Sequence, residues 1–388
     1  MTKTQHTVRS GLRLTLLAAA LLAAGAASAA QVSISGAIDN SIQVMKAKGS
    51  PTKVTQEPDQ FYSTGVHFDA SEDLGNGYGI ESKLWIVASA DSGEIASPDG
   101  ALFNHTLLAV KTPYGKFGAG RFGAFGSGFG PIGEWWKADP FCNGLGDAGP
   151  QATQTGIYGE LLRNSLFYMS PEMKGFKVGL LYSLTEESNT EGAAFRDDTK
   201  LWEVFGSYHA GPALLMADVQ GNHYGHASAY RQLGDRFRAK FAGAYELGDV
   251  TLYGGYAYGR NEIRFNTTAW GNRPDFKFDP LNAQKDGANG RTLDMHSVYL
   301  GVKKTMGALD LMAMGQAQWG ENKGQNAESS ADPKFTRYVG SLGAFYNFSP
   351  CTMLYTAATF GFVGKGWKEN QARSLERRMF IAGIGHRF

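Results

Sequence analysis

The chain has 388 residues, with 37 Lys and Arg against 36 Asp and Glu. That length allows one large domain or two ordinary ones, and the balanced charge lacks the basic footprint of nucleic-acid binding, which excludes that partner. Glycine, at 51 residues, and aromatics, at 12%, are both high for an ordinary globular domain.

Residues 1–29 read as a secretory signal. Lys3, Arg9 and Arg13 form a basic leader, "LTLLAAALLAAGA" a short apolar core, and "ASAA" a small-residue cleavage site. The expected cut follows Ala29, with Ala30 the next candidate. A membrane anchor is the alternative, but the apolar core is too short to span well. Without the three leader charges, 34 Lys and Arg stand against 36 Asp and Glu. No later run of eighteen apolar residues occurs, and the mean hydropathy looks soluble. A barrel in a membrane reconciles export with that hydropathy, because its wall alternates lipid-facing apolar with water-facing polar residues.

Residues 30–388 carry the alternation. "QVSISGAIDNSIQV" puts Val32, Ile34, Ile38, Ile42 and Val44 on one face, with Ser33, Ser35, Asp39, Ser41 and Gln43 on the other. "GVHFDA" turns Val66, Phe68 and Ala70 outward and His67 and Asp69 inward. After the turn "EDLGNG", "YGIESKLWI" sets Tyr78, Ile80, Leu84 and Ile86 against Glu81, Lys83 and Trp85. Period-2 alternation on both sides of a Gly-rich turn signals a hairpin. "RFRAKFAGAYELGDVTLYGGYAY" repeats the pattern, with Phe237, Phe241 and Tyr245 outward and Arg236, Arg238 and Lys240 inward. "HSVYLGVKKTMGALDLMAMGQAQW" repeats it again, with Leu300 and Leu311 among the outward residues. Outward Tyr and Trp fit interfacial girdles.

Sixteen strands are expected near 32–45, 61–71, 78–88, 103–112, 116–122, 163–170, 175–184, 200–209, 213–221, 235–246, 249–260, 294–304, 308–319, 336–348, 352–362 and 378–388. Seven short turns alternate with eight long loops. The expected fold is all-β: a sixteen-stranded antiparallel transmembrane β-barrel with long loops on one side. A barrel of that size leaves an aqueous channel.

"VSISGAID", "SEDLGNG", "LFNH", "GKFGAGR", "RNSLFYMSP" and the terminal "GIGHRF", in this order and spacing, resemble the general diffusion porins of Gram-negative outer membranes. The resemblance covers nearly the whole mature chain. It implies passive diffusion of small hydrophilic solutes and ions, a homotrimer with one pore per subunit, and a third loop folded inward. It also implies that Phe388 is the signal read by the outer-membrane assembly machinery. A substrate-specific channel or receptor is the alternative.

The third long connection, 123–162 (loop 3), has many glycines and no strand alternation. Loops this long are usually functional or disordered. Ile132, Trp135, Trp136 and Phe141 suggest docking, by family analogy on the inner wall; packing at a trimer contact is the alternative. A water-filled pore selects by size and fixed charge. Glu134, Asp139 and Asp147, opposed by Lys137, are the acidic candidates for the constriction. The basic wall candidates are Arg121, Arg163, Arg236, Arg238 and Lys240. Arg121 has the wrong parity for the lumen unless a bulge or the strand's exit near the glycines intervenes, whereas alternation with Leu166 and Tyr168 points Arg163 inward. Family arginines on the second and fourth strands are replaced by Gly65 and His105. Asp39, Glu81, Lys83 and His105 are candidate vestibule residues, with Lys303 and Arg337 further lumen charges.

No His spacing suits a metal, no Gly-x-Ser-x-Gly elbow appears, and "GAFGSGFG" lacks the Lys-Ser/Thr of a phosphate loop. No cofactor or catalysis is expected. Cys142 and Cys351 fall on opposite sides of the layout, which argues against a disulfide.

Overall fold

A computed structural model describes residues 30–96, 101–128, 130–142, 145–153, 161–184, 196–228, 231, 234–262, 291–324, 334–364 and 376–388. The expected signal at 1–29, and parts of the long loops, lie outside the described residues.

Seventeen strands form one sheet: β1 (Gln31–Ala47), β2 (Lys53–Pro58), β3 (Gly65–Gly75), β4 (Tyr78–Val87), β5 (His105–Thr112), β6 (Gly115–Gly123), β7 (Leu161–Met169), β8 (Phe176–Ser183), β9 (Lys200–Ala210), β10 (Ala213–His223), β11 (Arg236–Leu247), β12 (Val250–Glu262), β13 (Arg291–Met306), β14 (Leu309–Gly324), β15 (Lys334–Asn347), β16 (Thr352–Val363) and β17 (Arg377–Arg387). From β3 onward each pairs antiparallel with its chain neighbours, and β17 returns to β1 over Ala37–Ala47. Closure removes both edges, as hydrocarbon requires of every backbone donor and acceptor. Sixteen strands are staves of this barrel. The seventeenth, β2, lies in the first long connection and pairs with the far half of β1, whose near half pairs with β3. Residues 61–64, expected to open the second stave, turn inward instead.

The short turns follow local chemistry. At Asn76-Gly77 both residues have positive φ, 54° and 80°, as a type I′ hairpin turn demands. Phe388 extends the closing seam. Its N–H donates to the Gly36 carbonyl and its carbonyl accepts the Gly36 N–H, both at 3.0 Å. Its ring covers Gly36, where an added Cβ would lie 2.6 Å from Cζ.

The outer face is the expected apolar belt. Val32 is 70% and Leu300 75% exposed, and Ile34, Ile42, Leu108, Phe241 and Leu342 project with them. Aromatic pairs gather toward the strand ends: Phe117 with Tyr168 and Phe176 with Tyr208 at the short-turn end, and His296 stacked on Trp319 at the other. They fit interfacial girdles.

The inner face departs from simple alternation. Buried inward residues on β10 to β17 include Met216, Tyr299, Met312, Phe345, Met353 and Ile381. This wall mixes these apolar side chains with buried polar and charged ones, among them Lys240, Gln316 and Arg337, which meet loop 3 and not water.

Candidate channel constriction

Loop 3 leaves β6 at a bulge. Pairing with β7 shifts register between Gly120 and Phe122, and Gly120 has φ of 146°. A Cβ at Gly120 would sit 2.0 Å from the Thr106 carbonyl oxygen, so glycine is required there. Of the two alternatives for Arg121, a bulge and the strand's exit, the structure has the bulge. Arg121 is half-buried and its Nε donates to the Asn104 carbonyl at 3.1 Å.

Past the bulge the loop sweeps along the inner wall. The Phe125 ring stacks on Phe205 and fits against Gly179, where a Cβ would lie 2.7 Å from the ring. The N–H groups of Phe125 and Gly126 donate to the buried Glu203 carboxylate at 2.9 and 2.7 Å. Lys240 donates to the Gly126 carbonyl at 2.7 Å, lies 3.6 Å from Asp218, and sits 4.5 Å from the centre of the Trp135 ring. Tyr299 donates to the Ala138 carbonyl at 2.5 Å. Phe141 seats against Gly343. Full burial of side chains such as Phe125, Trp135, Phe141 and Leu145 contributes about 1.5–3 kcal/mol apiece, which offsets the ordering of the loop.

Asp147 anchors the distal part of the loop. It pairs with Arg377 and lies 3.6 Å from Arg337. Arg337 also donates to the Ala152 carbonyl, Gln316 to the Gly149 carbonyl at 3.0 Å, and Gln318 to the Thr153 carbonyl at 3.1 Å.

These contacts revise the expected acidic face. Asp147 is buried between arginines of the wall. Asp139 is also buried, and its carboxylate accepts the Phe141 N–H at 2.8 Å, bracing a loop turn. Only Glu134 keeps a more open position, bonded to Lys177 at 2.5 Å and Lys137 at 3.2 Å. Partial burial raises its carboxyl pKa, but hydrogen bonds and charge from the two lysines outweigh that and hold it below the ordinary value.

The basic candidates divide as well. Arg238 forms a two-pronged bond with Glu262, at 2.7 and 2.6 Å, and Arg236 lies 3.9 Å from the same carboxylate. All three are buried, as is Lys240. The inward ladder is a set of neutralised contacts, not a water-facing row. The alternation argument for Arg163 does not apply: Asn164 has φ of 46°, and the buried neighbours Leu162 and Ser165 are three residues apart. Arg163 itself is half-buried.

The vestibule candidates also separate. Glu81 pairs with Lys116 at 2.7 Å, and Lys83 with Asp69 at 3.3 Å, with roughly a quarter of each side chain exposed. His105 is buried, edge-on to Trp85 at 5.0 Å and against Gly130 of loop 3. Gly65 cannot be an arginine in this geometry, since even a Cβ would lie 2.0 Å from the Ile86 carbonyl oxygen. Asp39 is fully buried and is not a vestibule charge. Sequence reasoning missed Lys116, Lys177, Glu203, Asp218, Glu262 and Arg377. Lys116 and Lys177 were legible as inward residues by parity with Phe117 and Phe176; the roles of Glu203 and Asp218 required the docked loop, and that of Glu262 the pairing of β12 with β11.

Both cysteines are free. Among the described residues no group of three His, Cys, Asp or Glu could hold a metal.

A closed barrel with an apolar belt, a partly charged interior and a loop folded within it defines a membrane channel of the outer-membrane type. Residues 15–362 match the Gram-negative porin family, and the chain belongs to it. It is an outer-membrane channel for passive diffusion of small hydrophilic solutes. Among solved structures, an anion-selective porin from Comamonas acidovorans is similar at 18% identity, with 92% of this chain and 100% of that one covered and a TM-score of 0.63. OmpF of Salmonella typhi, in complex with daunomycin, matches at 11% identity over 92% and 97% of the chains, TM-score 0.61. In-vitro folded OmpT of Vibrio cholerae, in a trimer form, matches at 15% identity over 93% and 100%, TM-score 0.58. No curated protein sequence matches the chain.

Proposed function

We propose that solutes pass between loop 3 and the wall of β3 to β8, and that charge pairs at this boundary set ion preference. The observation that carries this is the division of inward charges. Apart from Lys303 of β13, which is half-buried, those on β9 to β17 named above are buried in contacts with the loop or one another. Asp69, Glu81, Lys83, Lys116 and Lys177, with Glu134 of the loop, keep partial exposure as three opposed pairs. Low-dielectric walls focus the field at a narrowing, so few charges decide selectivity. Pairs of opposite sign orient polar solutes while leaving little net preference.

The reading extends to the mature form. Cleavage after Ala29 releases a chain whose first stave begins at once, three copies associate through the lipid-facing wall, and Phe388 directs assembly. The protein is a channel and not an enzyme.

Reversal potentials across a planar bilayer under a salt gradient test the site. Glu134→Gln leaves Lys177 and Lys137 without a shared counter-charge and shifts preference toward anions. An unchanged reversal potential in folded, conducting Glu134→Gln places the selective charges elsewhere.

A further inference from the structure

The connection between β2 and β3 turns into the barrel, and one side chain organises it. The Asp39 carboxylate accepts the N–H groups of Gln60, Phe61 and Tyr62 at 3.2, 3.1 and 2.9 Å, and the Tyr355 hydroxyl at 2.6 Å. The Asp39 carbonyl accepts the Asp59 N–H at 3.2 Å, and the Asp39 N–H donates to Thr64 Oγ1 at 3.0 Å. Successive backbone N–H groups wrapped around an anion form a nest, and charge-assisted bonds of this kind are among the stronger ones.

The segment then reaches across the wall. The Phe61 ring meets Phe345 edge-on at 4.9 Å. Tyr62 lies against Gly385, beneath the Arg387 guanidinium at 5.0 Å. Its furthest contact is with loop 3: the Leu145 N–H donates to the Gln60 carbonyl at 2.6 Å. Leu145 is fully buried and precedes the Asp147 anchor by two residues.

We infer that residues 59–64 are a second constriction element of the channel, a strap positioned by Asp39 that also sets the distal part of loop 3. Barrel closure does not need it. β1 pairs with β17 over Ala37–Ala47 and with β3 over Gln31–Ala37, independently of the strap. Its six residues therefore occupy interior cross-section without completing the wall. Asp39 is a positioning residue, since it acts through the backbone it holds. The inference rests on the channel function and not on which charges line the passage, so pore size tests it and ion preference does not.

The deciding variants are Asp39→Ala and Phe61→Ala, the second of which leaves the barrel wall untouched. Conductance and the largest polyethylene glycol able to enter are measured in planar bilayers. Because a wider water-filled cross-section conducts more, both variants raise conductance at least about 1.2-fold and admit larger polymers. Asp39→Asn, which keeps an acceptor oxygen, gives a smaller rise. A cysteine pair, Gln60→Cys with Leu145→Cys in a Cys142→Ser, Cys351→Ser background, supplies the rescue. With Asp39→Ala added, the oxidised channel conducts as wild type and reduction restores the larger conductance. Wild-type conductance and polymer cut-off in folded Phe61→Ala overturn the inference even if Asp39→Ala fails to fold. A disulfide that forms without restoring conductance overturns the coupling to loop 3.

Discussion

Asp147→Asn isolates the anchor of loop 3. The carboxylate is buried, paired with Arg377 and 3.6 Å from Arg337. The amide keeps the shape but removes the counter-charge, leaving two buried guanidinium groups facing each other across a neutral residue. Removing one partner of a buried pair costs about 3–5 kcal/mol. The other polar anchors of this segment include the bonds from Gln316, Gln318 and Arg337, the Thr153 hydroxyl bond to Gln316 and the Leu145 bond to Gln60. At about 1 kcal/mol each, they are together comparable to the loss. A cost of about 3 kcal/mol raises the undocked population roughly a hundredfold. Hydrogen exchange of residues 145–153 reads this directly, and single-channel recordings show larger or noisier conductance. The barrel's thermal stability changes little, because every stave keeps its ladder. Unchanged exchange protection together with unchanged conductance refutes the anchoring role. A shift in ion preference without either effect would instead make Asp147 a passage charge.

Gly179→Val places branched carbon where the Phe125 ring now lies and lifts the proximal part of the loop, with faster exchange at 124–126 as the measurement. Burial, opposed by hydrogen bonds from Thr64 and reinforced by Asp39 and Asp91, pushes the Asp59 carboxyl from its ordinary 3.8 up to about 6. The docked strap therefore gains stability below about pH 4 and loses it as pH rises through 6, by about 3 kcal/mol at most. Exchange at 60–64, corrected for its intrinsic pH dependence, falls to lower protection across that window, and Asp59→Asn flattens the trend while keeping the acceptor for the Thr64 N–H. Deleting Phe388 removes two seam hydrogen bonds and the ring over Gly36. The yield of folded barrel in outer membranes drops severalfold, while the channels that do insert conduct normally; equal yields would remove Phe388 from the assembly signal.

The architecture was legible because a barrel wall writes itself locally. Each stave faces lipid with every second residue, so Val32, Phe241 and Leu300 declare their side without knowledge of any neighbour. Turn chemistry such as Asn76-Gly77 and the terminal row ending in Phe388 are equally local. The bulge at Gly120 was one of two ways that Arg121's parity could be met, and local sequence did not choose between them. What parity cannot specify is what an inward residue meets. Arg238 and Lys83 both follow the pattern of water-facing lumen charges, yet Arg238 is buried on Glu262 and Lys83 remains partly exposed beside Asp69.

Arg238 meets Glu262 of the neighbouring stave, whereas Glu203 and Lys240 meet loop 3, whose course is decided by surfaces far apart in the chain. Gly179 and Gly343 become sockets only once Phe125 and Phe141 arrive. Asp147 and Asp39 look like passage carboxylates in sequence, but the folded chain brings arginines of β15 and β17 to one and the strap's N–H groups to the other. Alternation alone determines the barrel, its lipid face and its closing strand, because side-chain direction in a strand is a local property. The depth of the passage, the charges that remain in water and the anchors that hold the loop belong to the tertiary structure, because burial and electrostatic pairing are properties of neighbours that the chain order does not list.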